Sequence, residues 1–383
     1  MRQLVIIGAN NFQLPLIKKA KALGLETHVF AWEKGAVGRG FADHFYPISI
    51  IEKELILKEA KKIRPDGVIS IASDLATVTV NHVAAGLGLI GNSLDCTRAT
   101  TNKFAMRECL SHSGLPCPKY TRSADILEIR RACGDFPLIV KPTDRSGSRG
   151  VTKVFNANDL QMAIDQAESE SFTSGHIVEH FIPGREYSVE MISWRGEHHF
   201  LQVTEKETSG EPYYIEKAHH QPAALPEPVK EKIISIIKKA LTCLGIEFGA
   251  SHSEIILTTE GEVYMVEIGA RMGGDYIGSH LVELSTGYDF IKGAIEVACG
   301  NFVEVIKGHD MNSGVYYIFA KPGIVRKITN RTEQYPEIVM SEVYYLRGST
   351  IRDIRESNDR AACYIYQSAA GKLEFHEEMI VFE

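Results

Sequence analysis

The sequence of 383 residues lacks the features that mark membrane, secreted and zinc-ribbon proteins. It contains no run of about 18 apolar residues, so no membrane-spanning helix is expected. The first residues, MRQLVIIGANN, hold only a short apolar run, so no secretory signal is expected either. The seven cysteines include no Cys-x-x-Cys pair, which disfavours a zinc ribbon and a disulfide framework. Together these absences predict a cytoplasmic protein that does not contact a membrane.

Positive charge is not in excess. Lysine and arginine number 42 against 49 aspartates and glutamates, for a net charge of −7. Because surfaces that bind nucleic acids are basic, this balance argues against a nucleic-acid partner. Hydrophobic residues make up 44% of the chain, which is enough to bury a large core, and the length predicts two or three domains.

Apolar strands alternate with helical periodicity over the first hundred residues, which predicts a parallel sheet with helices on both faces. The loop after the first strand reads GANN and lacks the G-x-G-x-x-G pattern of dinucleotide-binding folds. Ser73 and Asp74 follow a later strand, at the carboxyl edge where such sheets bind ligands. Both are therefore candidate substrate-binding residues. The alternative is that Ser73 is the N-cap of the helix predicted at 75–87.

Strand patterns dominate from 136 to 203, and a polar stretch with four prolines follows at 205–228. Further along, the patterns predict a helix at 229–244, strands at 249–257 and 262–268, and a mainly β tail at 314–383.

Lys141 ends an apolar strand, PLIVKP at 137–142. A buried lysine is costly unless it meets an anion. The following loop, DRSGSRGV at 144–151, has two glycines that let the backbone approach a ligand closely, and two arginines. We expect a flexible flap over phosphate groups; the alternative is an exposed polar hairpin.

Two glutamates are candidate metal ligands. A two-residue loop at 260–261 would place Glu254 directly opposite Glu267 on neighbouring strands, with Cβ atoms roughly 5 Å apart. Apolar residues flank both carboxylates, so a protonated carboxylate or a cation between them is needed. Oxygen ligands at this spacing suit Mg²⁺ or Mn²⁺. The alternative is a solvated sheet face, and a bulge at the turn would shift the register by one residue.

Arg271 follows this pair in the glycine-rich segment EIGARMGGD at 267–275. An arginine beside a metal–carboxylate pair could stabilise a transferring phosphoryl group. The alternative is that it neutralises Asp275.

These segments together resemble the ATP-grasp superfamily over roughly residues 1–300. The motifs that carry the resemblance are Asn102-Lys103, PLIVKP at 137–142, the glycine-rich flap, VEHFIPGREYSVE at 178–190, Glu254 and EIGAR at 267–271. The resemblance implies an α/β ATP-grasp fold with an N-terminal parallel-sheet domain and a small β-rich C-terminal domain. The boundaries it suggests are 1–98, 99–300 with a flap subdomain at about 120–182, and 301–383.

The resemblance also implies roles for individual residues. Lys103, Lys141 and the flap residues would contact ATP phosphates, residues 179–182 would hold adenine largely through backbone groups, and Glu186 would meet the ribose. Glu254 and Glu267 would bind Mg²⁺ or Mn²⁺, and Arg271 and Lys141 would be catalytic. The nucleotide-binding set is Lys103, Lys141, Ser146, Gly147, Ser148, Glu179, His180, Phe181, Ile182 and Glu186. The family often has asparagine where this chain has Gly269, so a third metal ligand would be missing.

The segment EKAHHQP at 216–222 resembles a Glu-x-Gly-His-x-x-Pro motif of the branch that is similar to L-amino-acid ligases and carbamoyl-phosphate synthases. This makes His219 a candidate substrate contact, beside Ser73, Asp74 and Arg271. A loop histidine without a role is the alternative. The β-rich tail is similar to the small C-terminal domain of biotin carboxylase.

The expected function is an ATP-dependent carboxylate–amine ligase that acts on a small-molecule acid and amine through an acyl phosphate and releases ADP and phosphate. One alternative phosphorylates bicarbonate or formate, and another is a catalytically weak nucleotide-binding subunit. A homodimer is one possible assembly.

Overall fold

The computed structural model of the protein describes residues 2–211 and 214–383. Its N-terminal part is a four-stranded parallel sheet in the order β3-β2-β1-β4. The residues of β1 from Leu4 to Ile7 are fully buried, as expected for a strand covered on both faces. These strands and the helices that cover them are β1 (Gln3–Ile7), α1 (Leu14–Ala22), β2 (Glu26–Phe30), β3 (His44–Tyr46), α2 (Lys53–Ile63), β4 (Gly67–Ile69) and α3 (Asp74–Leu87).

Two helices, α4 (Leu94–Thr101) and α5 (Lys103–His112), connect this part to a second, four-stranded sheet. That sheet is antiparallel in the order β5-β8-β6-β7, and two helices pack on it around a separate apolar core that includes Ile129, Val140 and Ile164. It contains the predicted flap. Its elements are β5 (Tyr120–Thr121), α6 (Ile126–Cys133), β6 (Leu138–Pro142), β7 (Thr152–Val154), α7 (Leu160–Glu170) and β8 (His176–His180).

The largest sheet has eight strands in the order β13-β12-β9-β10-β11-β14-β19-β17. Its strands are β9 (Arg185–Trp194), β10 (Glu197–Thr208), β11 (Glu216–Gln221), β12 (Gly249–Leu257), β13 (Val263–Gly269), β14 (Asn312–Ile318), β17 (Ile338–Val343) and β19 (Ala362–Ser368). Its helices are α8 (Glu227–Cys243), α9 (Val282–Thr286) and α10 (Phe290–Ala298). The β-rich tail therefore continues the same sheet, because β14 pairs with β11.

Four short strands complete the tail in two small sheets. They are β15 (Gly323–Ile324) with β18 (Thr350–Ile351), and β16 (Ile328–Asn330) with β20 (Ile380–Phe382). None of the helices in the described part of the chain combines the length and the apolar character that crossing a bilayer requires.

The polar stretch 205–228 is more ordered than its composition suggested. Strand β10 extends through Thr208, β11 lies within the stretch, and Pro226 is the N-cap residue of α8. Strand β11 is rich in polar and charged residues, yet four of its six residues are buried because it lies between β10 and β14. Of the predicted stretch, residues 212 and 213 lie outside the described residues.

Candidate active site

A cleft of about 780 Å³ lies where the three sheets meet. Ser73 and Asp74 line it from the N-terminal sheet, and residues of the flap loop, among them Ser146 and Gly147, line it from the flap. The large sheet contributes Lys206, Glu216, His219, His252, Glu254, Arg271 and Asp275, and the tail contributes residues 356–358 and Arg360. The sequence-predicted substrate residues Ser73, Asp74, His219 and Arg271 therefore share one cavity.

Glu254 on β12 pairs directly with Glu267 on β13, which confirms the predicted juxtaposition. The predicted turn is wrong. The amide of Thr258 donates to the carbonyl of Glu262, so residue 258 faces 262 and not 263. A bulge between Glu254 and Ile255 then restores the register, because β13 has one extra residue there, Val266. Two deviations that cancel thus place the glutamates opposite each other.

Each of the two glutamates has its own lysine. Lys206 Nζ lies 2.7 Å from Glu254 Oε1, and Lys103 Nζ lies 2.7 Å from Glu267 Oε1. Burial of Glu254 opposes its ionisation, but Lys206 and His252 outweigh burial and hold the pKa of this carboxyl well below its usual range. Burial likewise opposes the charge of Lys206, yet the surrounding carboxylates raise the pKa of this lysine. The expected repulsion between the glutamates is therefore offset by the amino groups of Lys206 and Lys103. The sequence analysis did not predict that these two lysines would contact the glutamates.

A buried histidine lies behind Glu254. His252 Nδ1 contacts Glu190 Oε1, and the Gly273 amide donates to the other oxygen of Glu190 at 3.2 Å. His252 Nε2 lies 3.4 Å from Glu254 Oε1. Burial lowers the pKa of His252, but Glu190 outweighs burial and raises it to about 9. The sequence analysis did not predict this series of contacts between Glu190, His252 and Glu254. The available signal was the alternation on β12, since residues 252 and 254 point to one face.

Lys141 does meet an anion, as its burial requires. Its Nζ lies 2.8 Å from Glu179 Oε2, and Arg107 Nε lies 2.8 Å from the other oxygen of Glu179. All three side chains are buried. Burial lowers the pKa of Lys141, while Glu179 opposes that shift. The side chain of Glu179 thus has a structural partner of its own, which is compatible with the expectation that residues 179–182 would offer backbone groups to a ligand.

The sequence analysis did not predict a role for Arg107. Besides Glu179, this arginine has a second contact. Its Nη2 donates to the carbonyl of Val266, the extra residue of the β13 bulge. An arginine on α5 therefore satisfies a backbone acceptor at the irregular point of the strand that carries Glu267.

Three residues of the flap loop have a left-handed backbone conformation. Gly147, Ser148 and Gly150 all have positive φ, at 70°, 56° and 68°. Lys103 Nζ donates to the carbonyl of Arg145 at 2.6 Å, so one lysine connects the flap loop to Glu267. Neither Lys103 nor Lys141 is among the described residues that line the cleft.

The remaining predicted nucleotide-binding residues lie at the end of β8 and the start of β9. Ile182 is buried, and Lys153 Nζ lies 3.7 Å from the ring centroid of Phe181. His180 is partly buried, and its Nδ1 has no hydrogen-bond partner among the described residues. Glu186 Oε2 lies 3.9 Å from Lys206 Nζ, and burial raises the pKa of the Glu186 carboxyl.

Arg271 pairs with Asp74 and not with Asp275, so the alternative of an Arg271–Asp275 pair is wrong. Its Nε and Nη2 donate to the two oxygens of Asp74 at 2.7 and 2.9 Å. Burial opposes the charge of Arg271, but Asp74 outweighs it and raises the pKa of the guanidinium. Ser73 has the capping role given as its alternative: its Oγ accepts from the Ala76 amide at 3.2 Å. Ser73 nevertheless lines the cleft as well.

Asp275 has a different partner, Arg360, which sequence reasoning missed because it lies 85 positions away. The guanidinium donates to both carboxylate oxygens at 2.8 and 2.9 Å and lies 3.6 Å from the centroid of the Tyr317 ring. His219 is buried with Nε2 at 3.6 Å from Asp275. The tail thus contributes a charged group to the cleft.

The family often has asparagine at position 269, where this chain has glycine. The surroundings of Gly269 leave little space for a side chain. A Cβ atom built there would lie 3.1 Å from Arg271 Nε and 3.1 Å from Asp74 Oδ1. Both atoms belong to the bidentate pair, so a side chain at 269 would crowd it. The glycine therefore leaves room for the pair between Asp74 and Arg271.

Comparison with known proteins identifies a domain within the chain. Residues 134–279 match the sequence model of the ATP-grasp domain. Alanine–anticapsin ligase from Bacillus subtilis is 27% identical over 271 residues, covering 64% of this chain and 56% of the relative. A formate-dependent phosphoribosylglycinamide formyltransferase from Prochlorococcus marinus is 24% identical over 280 residues, covering 67% of this chain and 68% of the relative.

Among solved structures, L-amino acid ligase from Bacillus licheniformis superposes with a TM-score of 0.83 at 23% sequence identity, covering 96% of this chain and 94% of that one. This likeness shows a shared fold. The matched residues include Lys141, Glu254, Glu267 and Arg271. Residues 134–279 thus match an ATP-grasp domain, and the chain has the ATP-grasp fold.

Proposed function

We propose that the protein is an ATP-dependent carboxylate–amine ligase that forms an acyl phosphate and releases ADP and phosphate. The observation that carries the proposal is the pair of opposed glutamates, Glu254 and Glu267, together with a cleft between the three sheets that Glu254 and Arg271 line. The relatives named as ligases support it. In this account the N-terminal domain spans 1–98, the nucleotide-binding body 99–300 and the tail 301–383.

The residues at the glutamate pair fit a divalent metal ion. Glu254 is held ionised and both groups offer hard oxygen donors, and a bound cation would displace the lysine ammonium groups that now contact these oxygens. Glu254 and Glu267 would hold Mg²⁺ or Mn²⁺, which when bound supplies neutralisation of the charge on the nucleotide phosphates.

The reaction has two displacements. In the first, an oxygen of the substrate carboxylate attacks the γ-phosphorus of ATP, the bond to the β,γ-bridging oxygen breaks, and ADP leaves. In the second, the amine attacks the carbonyl carbon of the acyl phosphate, the bond from that carbon to the phosphate oxygen breaks, and the nitrogen loses a proton to the released phosphate or to water. The residues of the chain act mainly by binding, orientation and charge stabilisation.

Specific side chains have proposed parts in this sequence. Lys103, Lys141 and the flap residues Ser146, Gly147 and Ser148 would bind the phosphates of ATP. Residues 179–182 would hold the adenine and Glu186 the ribose. Arg271 would stabilise charge on the transferring phosphoryl group, and Ser73, Asp74 and His219 would contact the acid or the amine.

The test is acid-dependent trapping with hydroxylamine, a small amine that converts acyl phosphates to hydroxamates. With ATP, Mg²⁺ and a panel of amino and small organic acids, one acid should give hydroxamate and ADP in equal amounts. Arg271→Ala should suppress both products, whereas Arg326→Ala, at an exposed residue of the tail, should not. ADP release that proceeds equally without any acid would contradict the proposal.

A second candidate keeps the chemistry and changes the acid to formate. The relative named as a formate-dependent formyltransferase, matched over 67% of this chain, favours it. Formohydroxamate formation with formate as the acid, and none with amino acids, would select this candidate.

A further inference from the structure

One face of the N-terminal sheet carries, away from the cleft, two histidines and a glutamate, which are side chains of types that can bind a metal ion. His28 on β2 pairs in register with His44 on the edge strand β3. Because side chains alternate along a strand, Glu26 lies on the same face as His28, and Tyr46 on the same face as His44. A ring nitrogen of each histidine and a carboxylate oxygen of Glu26 all lie within 4.8 Å of one another.

His28 is buried and only half satisfied. Its Nδ1 lies 3.0 Å from the hydroxyl of Tyr46, whereas its Nε2 is buried without a hydrogen-bond partner among the described residues. The residue is 6% exposed, so water does not readily replace the missing partner. If Nδ1 donates its hydrogen to the tyrosine oxygen, Nε2 keeps a free lone pair.

The other two members of the cluster are more accessible. His44 Nε2 lies 2.8 Å from Glu26 Oε1, and the two side chains are 47% and 33% exposed. The rings of His28 and His44 stack with centroids 4.5 Å apart. Zinc–nitrogen bonds of about 2.0–2.1 Å require closer donor atoms than these, so the exposed side chains would move inward on binding. Their exposure leaves them room to do so.

We propose that Glu26, His28 and His44 bind one divalent transition-metal ion of the zinc class. Two imidazoles and one carboxylate are a ligand set for Zn²⁺, Co²⁺ or Ni²⁺, whereas Mg²⁺ and Ca²⁺ prefer oxygen donors alone. Tyr46 would fix the ring orientation of His28 from behind, as hydrogen-bond partners of metal-bound histidines commonly do. The ion would link the three-residue edge strand β3 to β2, at a place separate from the proposed ligase chemistry.

The test is titration of the metal-stripped full chain with Zn²⁺ by calorimetry, with Mg²⁺ present to occupy oxygen-only sites. The substitution His44→Gln removes an exposed ligand and should leave the fold, followed by circular dichroism, unchanged. The wild-type chain should bind one more equivalent of Zn²⁺ than His44→Gln, or bind that equivalent at least tenfold more tightly. Glu26→Gln should weaken the same equivalent.

The matched control is His82→Gln. His82 Nε2 lies 3.1 Å from Glu54, a histidine–glutamate pair outside the proposed cluster. This variant should keep the wild-type stoichiometry, and Zn²⁺ should raise the melting temperature of the wild type and of His82→Gln but not of His44→Gln. Equal stoichiometry and affinity in the wild type and His44→Gln would overturn the proposal.

Discussion

All three cationic side chains that the proposed mechanism assigns to the nucleotide already contact a carboxylate. Lys103 is held by Glu267, Lys141 by Glu179, and Arg271 by Asp74. Buried charges require such partners, because leaving one unpaired costs several kcal/mol. Binding of ATP and substrate would therefore exchange one set of anionic partners for another.

Lys141 allows a direct test of nucleotide binding. Lys141→Ala should weaken ATP binding by about 1.5–3 kcal/mol, the range for a hydrogen bond to a charged group, which is roughly a 10- to 150-fold rise in Kd. Glu179 retains Arg107 in this variant, so the fold should persist. Calorimetric titration with ATP and Mg²⁺ measures the change, and Lys58→Ala on the exposed face of α2 is the control. An unchanged Kd in a folded Lys141→Ala variant would show that this lysine does not bind the phosphates.

Glu267 allows a test of the proposed metal role. Glu267→Gln should lower kcat by at least about 100-fold at saturating Mg²⁺, an effect of about 2.7 kcal/mol. It should not raise the melting temperature without metal, because Lys103 loses its ionised partner when the charge is removed. Glu262→Gln, at an exposed position beside the same hairpin turn, controls for local disturbance and should keep full activity. Wild-type turnover in Glu267→Gln would contradict the metal assignment.

His280 makes stability depend on pH. Burial lowers its pKa from 6.5 to about 4, so below pH 6.5 the unfolded chain binds a proton that the folded chain does not. Stability should therefore fall as pH falls from about 6.5 to about 4, with a contribution of about 2 kcal/mol between pH 7 and pH 5. His280→Asn can keep the contact with the Ser279 hydroxyl at 2.8 Å and removes the titrating ring.

Urea unfolding at pH 7 and pH 5 measures this contribution. The wild-type chain should lose about 2 kcal/mol more than His280→Asn over that interval. The same loss in both proteins would mean that His280 does not titrate differently on unfolding.

At the scale of elements, helix α5 organises much of the site. It presents Lys103 and Arg107 one turn apart, and these reach Glu267 and Glu179, which lie on different sheets. The N-cap is Asn102, whose Oδ1 accepts from the Ala105 amide at 3.0 Å. The Asn102-Lys103 motif thus has a structural explanation for its first residue, because the cap fixes the turn that carries the lysine.

Removal of the cap should act on both stability and binding. Asn102→Ala should lower the free energy of unfolding by about 1 kcal/mol and should also weaken ATP binding, because Lys103 is the first residue of the helix. Asn102→Ser restores a capping oxygen and should recover most of both losses. Urea unfolding and ATP titration of the two variants test this. Equal losses in Ala and Ser variants would show that capping is not the cause.

Strand pairing shows how far local patterns can predict this site. Hydrophobic periodicity predicted strands β12 and β13 almost to the residue, and the Glu254–Glu267 pairing is confirmed. The wider turn and the bulge at Val266 could not be predicted, because the bulge carbonyl is satisfied by Arg107, 159 positions earlier in the chain. The pairing was reached although the turn was wrong.

At the scale of the whole molecule, the cleft is assembled from distant segments. The tail supplies Arg360, which holds Asp275 in a turn where Asp275 and Tyr276 both have positive φ, at 49° and 64°. Single segments predicted Ser73, Asp74, His219 and Arg271 as substrate contacts, and the fold places all four in the cleft. Other contacts in the cleft, such as that of Arg360 with Asp275, join residues far apart in the sequence. Local sequence patterns therefore could not predict them.

The most direct test of the proposed reaction follows an oxygen atom. An acid substrate labelled with ¹⁸O in its carboxylate should transfer one labelled oxygen to inorganic phosphate per amide formed, with ADP as the other product, because the attacking oxygen stays on phosphorus when the amine displaces phosphate. Mass spectrometry of the phosphate measures the label. Unlabelled phosphate, or AMP and pyrophosphate as products, would contradict the acyl-phosphate account.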